Sequence, residues 1–136
     1  MAKPYRVFLS HGGDDTYVVK HALMPQVEST GATVFLDAGT IDYGDDFRAL
    51  LLDELASFDE LLVLLTKSSL GRPWVIAEIG AALIRKKRIV AIRYGPSESE
   101  LQKLGVLSLL GANTLLRLDD FDSYVTQLAA RVQAHV

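Results

Sequence analysis

The sequence reads as a single α/β domain of the flavodoxin-like class, spanning residues 1–136. The expected core is a five-stranded parallel sheet in the order 2-1-3-4-5, with helices on both faces. Three observations predict this. Five short apolar runs alternate with helical patterns along the 136 residues, the rhythm of repeated βα units and right-handed crossovers rather than of hairpins. The third run, Leu61 to Leu65, is apolar without interruption, as a central strand buried on both faces must be. The length suits one domain, and at this size the strand order 2-1-3-4-5 places a ligand crevice beyond the carboxyl ends of strands one and three, where the order reverses.

Each element has a local reason. Tyr5-Arg6-Val7-Phe8-Leu9 forms the first strand and gives way to the polar loop Ser10-His11-Gly12-Gly13-Asp14-Asp15. A helix follows with Val19, Leu23 and Val27 on one face and Gly31 as its stop. Pro25 kinks it, because the carbonyl of His21 loses its amide partner there. Thr33 to Leu36 is the second strand and Asp37 to Gly44 a turn-rich loop. Asp45 or Asp46 caps a second helix that turns Phe47, Leu50, Leu51 and Leu55 inward. After the third strand come a helix beginning at Pro73, a strand from Ile89 to Ile92, a short helix near Ser97–Leu104 and a strand from Thr114 to Leu118. The last helix takes Asp119 or Asp120 as its cap and buries Phe121, Val125, Leu128 and Val132. No repeat, low-complexity tract or linker interrupts this series.

Composition excludes several functions. With 49% hydrophobic and 23% charged residues the chain is an ordinary globular protein. A net charge of −3 gives no reason to expect binding along nucleic acid. Cysteine is absent, which removes disulfides, thiol nucleophiles and cysteine metal sites. No 18-residue apolar run or secretory signal occurs, so no membrane association is expected and the cytoplasm is the expected compartment. The chain stands alone or forms the N-terminal piece of something longer. Phosphate-binding Gly-rich loops and the G-x-S-x-G nucleophile turn are missing. His11, His21 and His135 lack metal-ligand spacing, so no metal is expected. Asp37, Asp42, Asp45 and Asp46 do not follow the order of a calcium loop; turns and capping account for them. Arg85-Lys86-Lys87-Arg88 complements a helix C-terminus, with a partner-binding patch as the lesser reading.

One residue stands out. In Gly71-Arg72-Pro73-Trp74-Val75-Ile76-Ala77-Glu78-Ile79-Gly80-Ala81-Ala82-Leu83 a single carboxylate sits in a nearly apolar helix. Trp74 and Glu78, four apart, share a face. A charge in such surroundings is costly unless it is paired, neutralised or turned toward a cleft. On the residues alone Glu78 is either a candidate for chemistry, or a surface carboxylate or ion-pair partner of Arg85 or Lys67. Trp74 reads equally as core packing or as a flat wall for a ring, and Ser10 as a loop cap or a polar ligand contact.

Four stretches, in order, resemble the TIR (Toll/interleukin-1 receptor) domain: Phe8-Leu9-Ser10-His11, Phe35-Leu36-Asp37 running into Ile41 and Gly44, Leu64-Leu65-Thr66-Lys67-Ser68-Ser69-Leu70, and Trp74-x-x-x-Glu78. The likeness runs from about Tyr5 to the final helix, and the small cysteine-free form looks bacterial. Some TIR domains associate with one another as scaffolds; others split NAD⁺ into nicotinamide and ADP-ribose or a cyclic isomer. The resemblance implies that Glu78 is the catalytic carboxylate and that Ser10, His11, Asp37, Ile41 and Trp74 line the NAD⁺ site. It also implies that the Asp37–Gly44 loop gates that site and joins neighbouring TIR domains, and that self-association activates the enzyme in bacterial anti-phage signalling. Where many active members carry an arginine or an aromatic after the first strand's serine, this chain has His11-Gly12-Gly13, whose backbone amides can approach a phosphate closely.

One glutamate suffices for such chemistry in principle. Glycosidases use one carboxyl group to protonate a poor leaving group, whereas nicotinamide in NAD⁺ is already cationic and departs neutral. The remaining task is to steady the ribosyl cation, or bond to it briefly. The alternatives are a non-catalytic TIR scaffold and a nucleoside deoxyribosyltransferase, a flavodoxin-like family with a catalytic glutamate in a helix resembling Glu78-Ile79-Gly80-Ala81-Ala82.

Overall fold

The computed structural model describes residues 4–36, 57–70, 73–103, 105, 110 and 115–135. Five strands form one sheet: β1 (Arg6–Ser10), β2 (Thr33–Leu36), β3 (Glu60–Leu65), β4 (Arg88–Arg93) and β5 (Leu115–Arg117). Their order is β2-β1-β3-β4-β5 and every pairing is parallel. The expected architecture is therefore the one observed. β3 lies in the middle, and all six of its residues are buried.

Alternation along β3 divides the interior in two, because successive side chains point to opposite faces. Leu61, Val63 and Leu65 join Phe8, Val75, Ile79 and Ala82 on one face. Leu62 and Leu64 join Val7, Leu9, Val19, Leu23, Val27, Tyr124 and Leu128 on the other. Each such aliphatic side chain withdrawn from water contributes about 1.5–3 kcal/mol. A polar substitution anywhere in Leu61–Leu65 would thus strike one core or the other.

The first helical stretch shows how Pro25 is accommodated. It consists of α1 (Thr16–Val18), a π-helical segment (Val19–Leu23) and α2 (Met24–Glu28). The Met24 amide reaches back to the Val19 carbonyl. The chain absorbs the missing proline N–H by widening one turn, so the expected kink takes the form of a π segment. Gly31 ends the stretch at φ +95°, a left-handed conformation that glycine adopts without strain. The expected second helix, Phe47 to Leu55 with its cap at Asp45 or Asp46, lies outside the described residues.

Among the described residues three further helices follow: α3 (Lys67–Leu70), α4 (Pro73–Ile84) and α5 (Glu98–Lys103). α5 starts with an N-cap bond, in which the Glu100 amide donates to Ser97 Oγ at 3.2 Å, and the Ser97 hydroxyl donates to Glu100 Oε1 at 3.4 Å. The final helix, α6 (Phe121–Ala134), begins after a 3₁₀ turn over Leu118–Asp120. Here the expected capping by side chain is corrected. Asp120 holds the N-cap position without a side-chain cap bond, and Asp119 instead accepts a hydrogen bond from Arg117 at 2.7 Å. The 3₁₀ turn itself supplies the first backbone bonds of the helix, leaving the carboxylates on its surface.

Candidate active site

β1 ends in Ser10, two residues beyond Phe8 and so on the same face of the sheet. That face is the one covered by Val75, Ile79 and Ala82 of α4. Ser10 pairs with Val63, is fully buried, and its hydroxyl finds no hydrogen-bond partner among the described residues. Burying an unsatisfied hydroxyl is unfavourable, and such a group at the carboxyl edge of a sheet is suited to receiving a ligand.

α4 brings the second group. It begins at Pro73, as the sequence predicts, and Val75, Ile79 and Ala82 form its inward stripe at helical spacing. Glu78 falls within that stripe and has 0% exposure. The surface-carboxylate reading is thereby excluded: this is a charge-bearing side chain held inside the domain. Glu78 and Ser10 therefore approach the same face of the sheet, one from α4 and one from the end of β1.

The loops that follow β1 and β3 are locked together. An added Cβ on Gly12 would stand 2.4 Å from Ser68 Oγ and 2.6 Å from the Ser69 amide nitrogen, so only glycine fits. The Asp14 amide donates to Ser68 Oγ at 3.3 Å, and the Thr66 hydroxyl donates to Asp15 Oδ2 at 2.5 Å. Thr66 and Ser69 close their own turn through the Thr66 amide to Ser69 Oγ at 2.7 Å and the Ser69 amide to Thr66 Oγ1 at 3.2 Å. Sequence reasoning put the loops at the crevice but missed this interlock. Its one visible signal was the density of Gly, Asp, Ser and Thr in both.

The remaining predicted residues divide. His11 is buried, and its Nε2 lies 3.3 Å from Thr16 Oγ1, whose hydroxyl in turn donates to the Gly13 carbonyl at 2.9 Å. That contact ties the imidazole to the start of α1. Trp74 occupies the first turn of α4, but its side chain lies outside what the structure describes. Asp37 and Ile41 are outside the described residues altogether. No group of three or more metal-ligating side chains occurs among the described residues.

A second buried acid escaped sequence reasoning. Glu60 opens β3 at the opposite end of the sheet from Ser10, and it is fully buried. It accepts hydrogen bonds from Tyr5 at 2.6 Å and Tyr124 at 2.5 Å, and from Arg131 through Nε at 3.1 Å and Nη2 at 3.3 Å. Burial, reinforced by the Glu60 carboxylate, pushes the Tyr5 phenol up to about 12 and the Tyr124 phenol higher still. Burial works against the Arg131 cation, but the Glu60 charge outweighs it and holds the guanidinium protonated. Every oxygen of this acid has a donor, which marks it as structural.

Residues 7–130 match the profile of a family described as TIR domain. The chain belongs to the TIR domain family. Solved structures agree on the fold. This TIR domain superposes on the TIR domain of the Toll-related receptor TRR-2 from Hydra magnipapillata with a TM-score of 0.66 at 20% identity, over 92% of this chain and 91% of that one. A 2-deoxyribosyltransferase from Leishmania mexicana gives a TM-score of 0.68 at 13% identity, over 93% and 98%. The CMP N-glycosidase BcmB from Clostridium botulinum gives 0.60 at 19% identity, over 90% and 97%. No curated protein matches the chain.

Proposed function

We propose that this TIR domain cleaves the bond between nicotinamide and ribose in NAD⁺, with Glu78 as the catalytic carboxylate. The observation that carries the reading is the complete burial of Glu78 on the face of the sheet where Ser10 also ends. Nicotinamide leaves as a neutral base and takes the bonding electron pair. The anomeric carbon then carries positive charge, which an anionic carboxylate in a dry setting stabilises strongly. Water attacks that carbon and releases a proton to give ADP-ribose, or an internal nitrogen attacks to give a cyclic isomer. Ser10 Oγ donates a hydrogen bond to the dinucleotide, and Trp74 offers its ring as an apolar wall. Asp37 and Ile41 belong to the loop that covers the substrate and meets a neighbouring TIR domain, so that association raises turnover.

Two neighbours of the same fold, named as a CMP N-glycosidase and a 2-deoxyribosyltransferase, lend support to chemistry at a sugar's glycosidic carbon. The second of them, with the sequence Glu78-Ile79-Gly80-Ala81-Ala82, also keeps transfer of a deoxyribosyl group as the competing reading. The test is Glu78→Gln, which keeps shape and removes charge. NAD⁺ cleavage, followed by product analysis on clustered protein, should fall on the order of a hundred-fold or more. A fall in melting temperature with NAD⁺ cleavage nearly intact would instead make Glu78 a structural ion-pair partner. Full activity in the variant overturns the catalytic assignment. Turnover of a deoxynucleoside with a free base, without turnover of NAD⁺, transfers the role to the competing reaction. Inertness of the wild-type protein toward both leaves a scaffold.

A further inference from the structure

We propose that a notch at the N-terminal end of β4, remote from Glu78, binds a nucleoside diphosphate. β4 runs over six residues, but β5 pairs only with its second half, starting at Ala91↔Leu115. Arg88, Ile89 and Val90 have no strand on that side among the described residues. A cavity of about 650 Å³ opens there and runs beside α6 from Asp120 to Arg131.

The lining is sorted by chemistry. Val90 and Leu116, on the face of the sheet that α6 covers, supply an apolar wall against which a flat base can lie. Lys86, Arg88 and Arg131 gather at one end, at the start of β4 and the last turns of α6. Asp120 stands at the other, eleven residues up the helix and so about 16 Å away. An anion is drawn to the first end and repelled from the second, while the carboxylate at the far end accepts a hydrogen bond from the amino group of a base whose sugar lies between it and the phosphates. That polarity fits an extended ligand with an apolar ring, a sugar and two phosphates.

Two details favour a built site over a chance group of surface cations. Arg131 presents Nε and Nη2 to Glu60, which fixes the guanidinium at this end of the cavity. Lys86 adopts φ +56°, the left-handed conformation that closes α4 through the Lys87 amide to the Ala82 carbonyl. Glycine is less strained at such a position, so a lysine there invites a functional explanation. The site is separate from the crevice: β4 begins at the edge of the sheet opposite to the ends of β1 and β3, about 20 Å away by strand length.

The experiment is titration of the full ¹⁵N-labelled chain with ADP, in parallel with pyrophosphate, read by amide chemical shifts. Saturable shifts are expected at Lys86–Val90, Leu115–Arg117 and the last turns of α6, with ADP binding more tightly than pyrophosphate. The exposed pair Lys86→Glu and Arg88→Glu should weaken ADP at least ten-fold while leaving the remaining spectrum and the melting temperature unchanged. Arg131 is left intact, since its loss would strand Glu60. Shifts confined to Ser10–Gly13 and Thr66–Ser69, no saturation at millimolar ADP, or equal affinity in the double variant would overturn the proposal. Equal affinity for pyrophosphate would overturn the nucleoside part of it. The Glu78 reading is not involved, because none of these outcomes depends on turnover.

Discussion

Replacing Arg131 with methionine removes a guanidinium and keeps most of its length, and the consequence follows from the surroundings of Glu60. That carboxylate is fully buried, and Arg131 is the cation that neutralises it, with two N–H groups at 3.1 and 3.3 Å. Breaking a buried pair by deleting one partner costs about 3–5 kcal/mol, because the other charge stays in a low-dielectric setting. The Arg131 side chain keeps 21% of its surface in water, which places the loss near the lower end, about 3 kcal/mol. For a domain of this size that is roughly a 12 °C fall in melting temperature, at about 4 °C per kcal/mol. Tyr124→Phe removes one hydroxyl donor to the charge and should cost about 1.5–3 kcal/mol. The decisive comparison is the double variant Glu60→Gln with Arg131→Met. With the charge gone there is nothing to strand, and an amide still pairs with the tyrosine hydroxyls, so the double variant should melt above Arg131→Met alone. Scanning calorimetry reads all three. An Arg131→Met melting point within 2 °C of wild type, or a double variant less stable than the single, would refute the reasoning.

Other outcomes follow from the same geometry. Gly12→Ala should lower stability by about 1–3 kcal/mol, because its methyl meets Ser68 and Ser69 backbone atoms that belong to a closed turn; an unchanged urea midpoint would show that the loops give way freely. Stability should decline as pH rises from 10 toward 12. Over that range the unfolded chain ionises its tyrosines while the fold keeps Tyr5 protonated up to about 12, so the unfolded state binds fewer protons. Tyr5→Phe should flatten the melting-temperature profile there, and an unaltered slope would assign the effect elsewhere. If association activates NAD⁺ cleavage, specific activity should climb with protein concentration and with crowding agents, whereas a flat response over a wide range would separate the two.

The fold was legible because its signals are local or short in range. A continuous apolar run announces a doubly buried strand, and Leu61–Leu65 is buried throughout. Gly31 stopped its helix for the reason glycine usually does, and Pro73 opened one. The weaker readings were those in which two local solutions compete. Asp119 and Asp120 both look like caps, yet the 3₁₀ turn makes the first bonds and Arg117 takes one of the carboxylates. Pro25 had to disturb its helix, but whether by bending or by widening a turn depends on how Val19, Leu23 and Val27 must all reach one core.

The two buried glutamates show where such reading ends. Glu78 stood out because its setting is written within one helix: Val75, Ile79 and Ala82 lie one turn or less from it, and the contrast between charge and neighbours is visible in a dozen letters. Glu60 carries the same side chain beside an equally apolar run, and nothing near it in sequence explains its burial. Its donors Tyr5, Tyr124 and Arg131 come from 55, 64 and 71 positions away. Each of those residues has an ordinary local role, in the lead-in to β1 or along α6, and only the parallel sheet brings them to one carboxylate. A carboxylate that is costly to bury demands compensation, and sequence can register the demand. For Glu60 the answer is a set of fixed donors brought together by contacts between distant segments, which is why its burial could not be read from its own stretch of sequence.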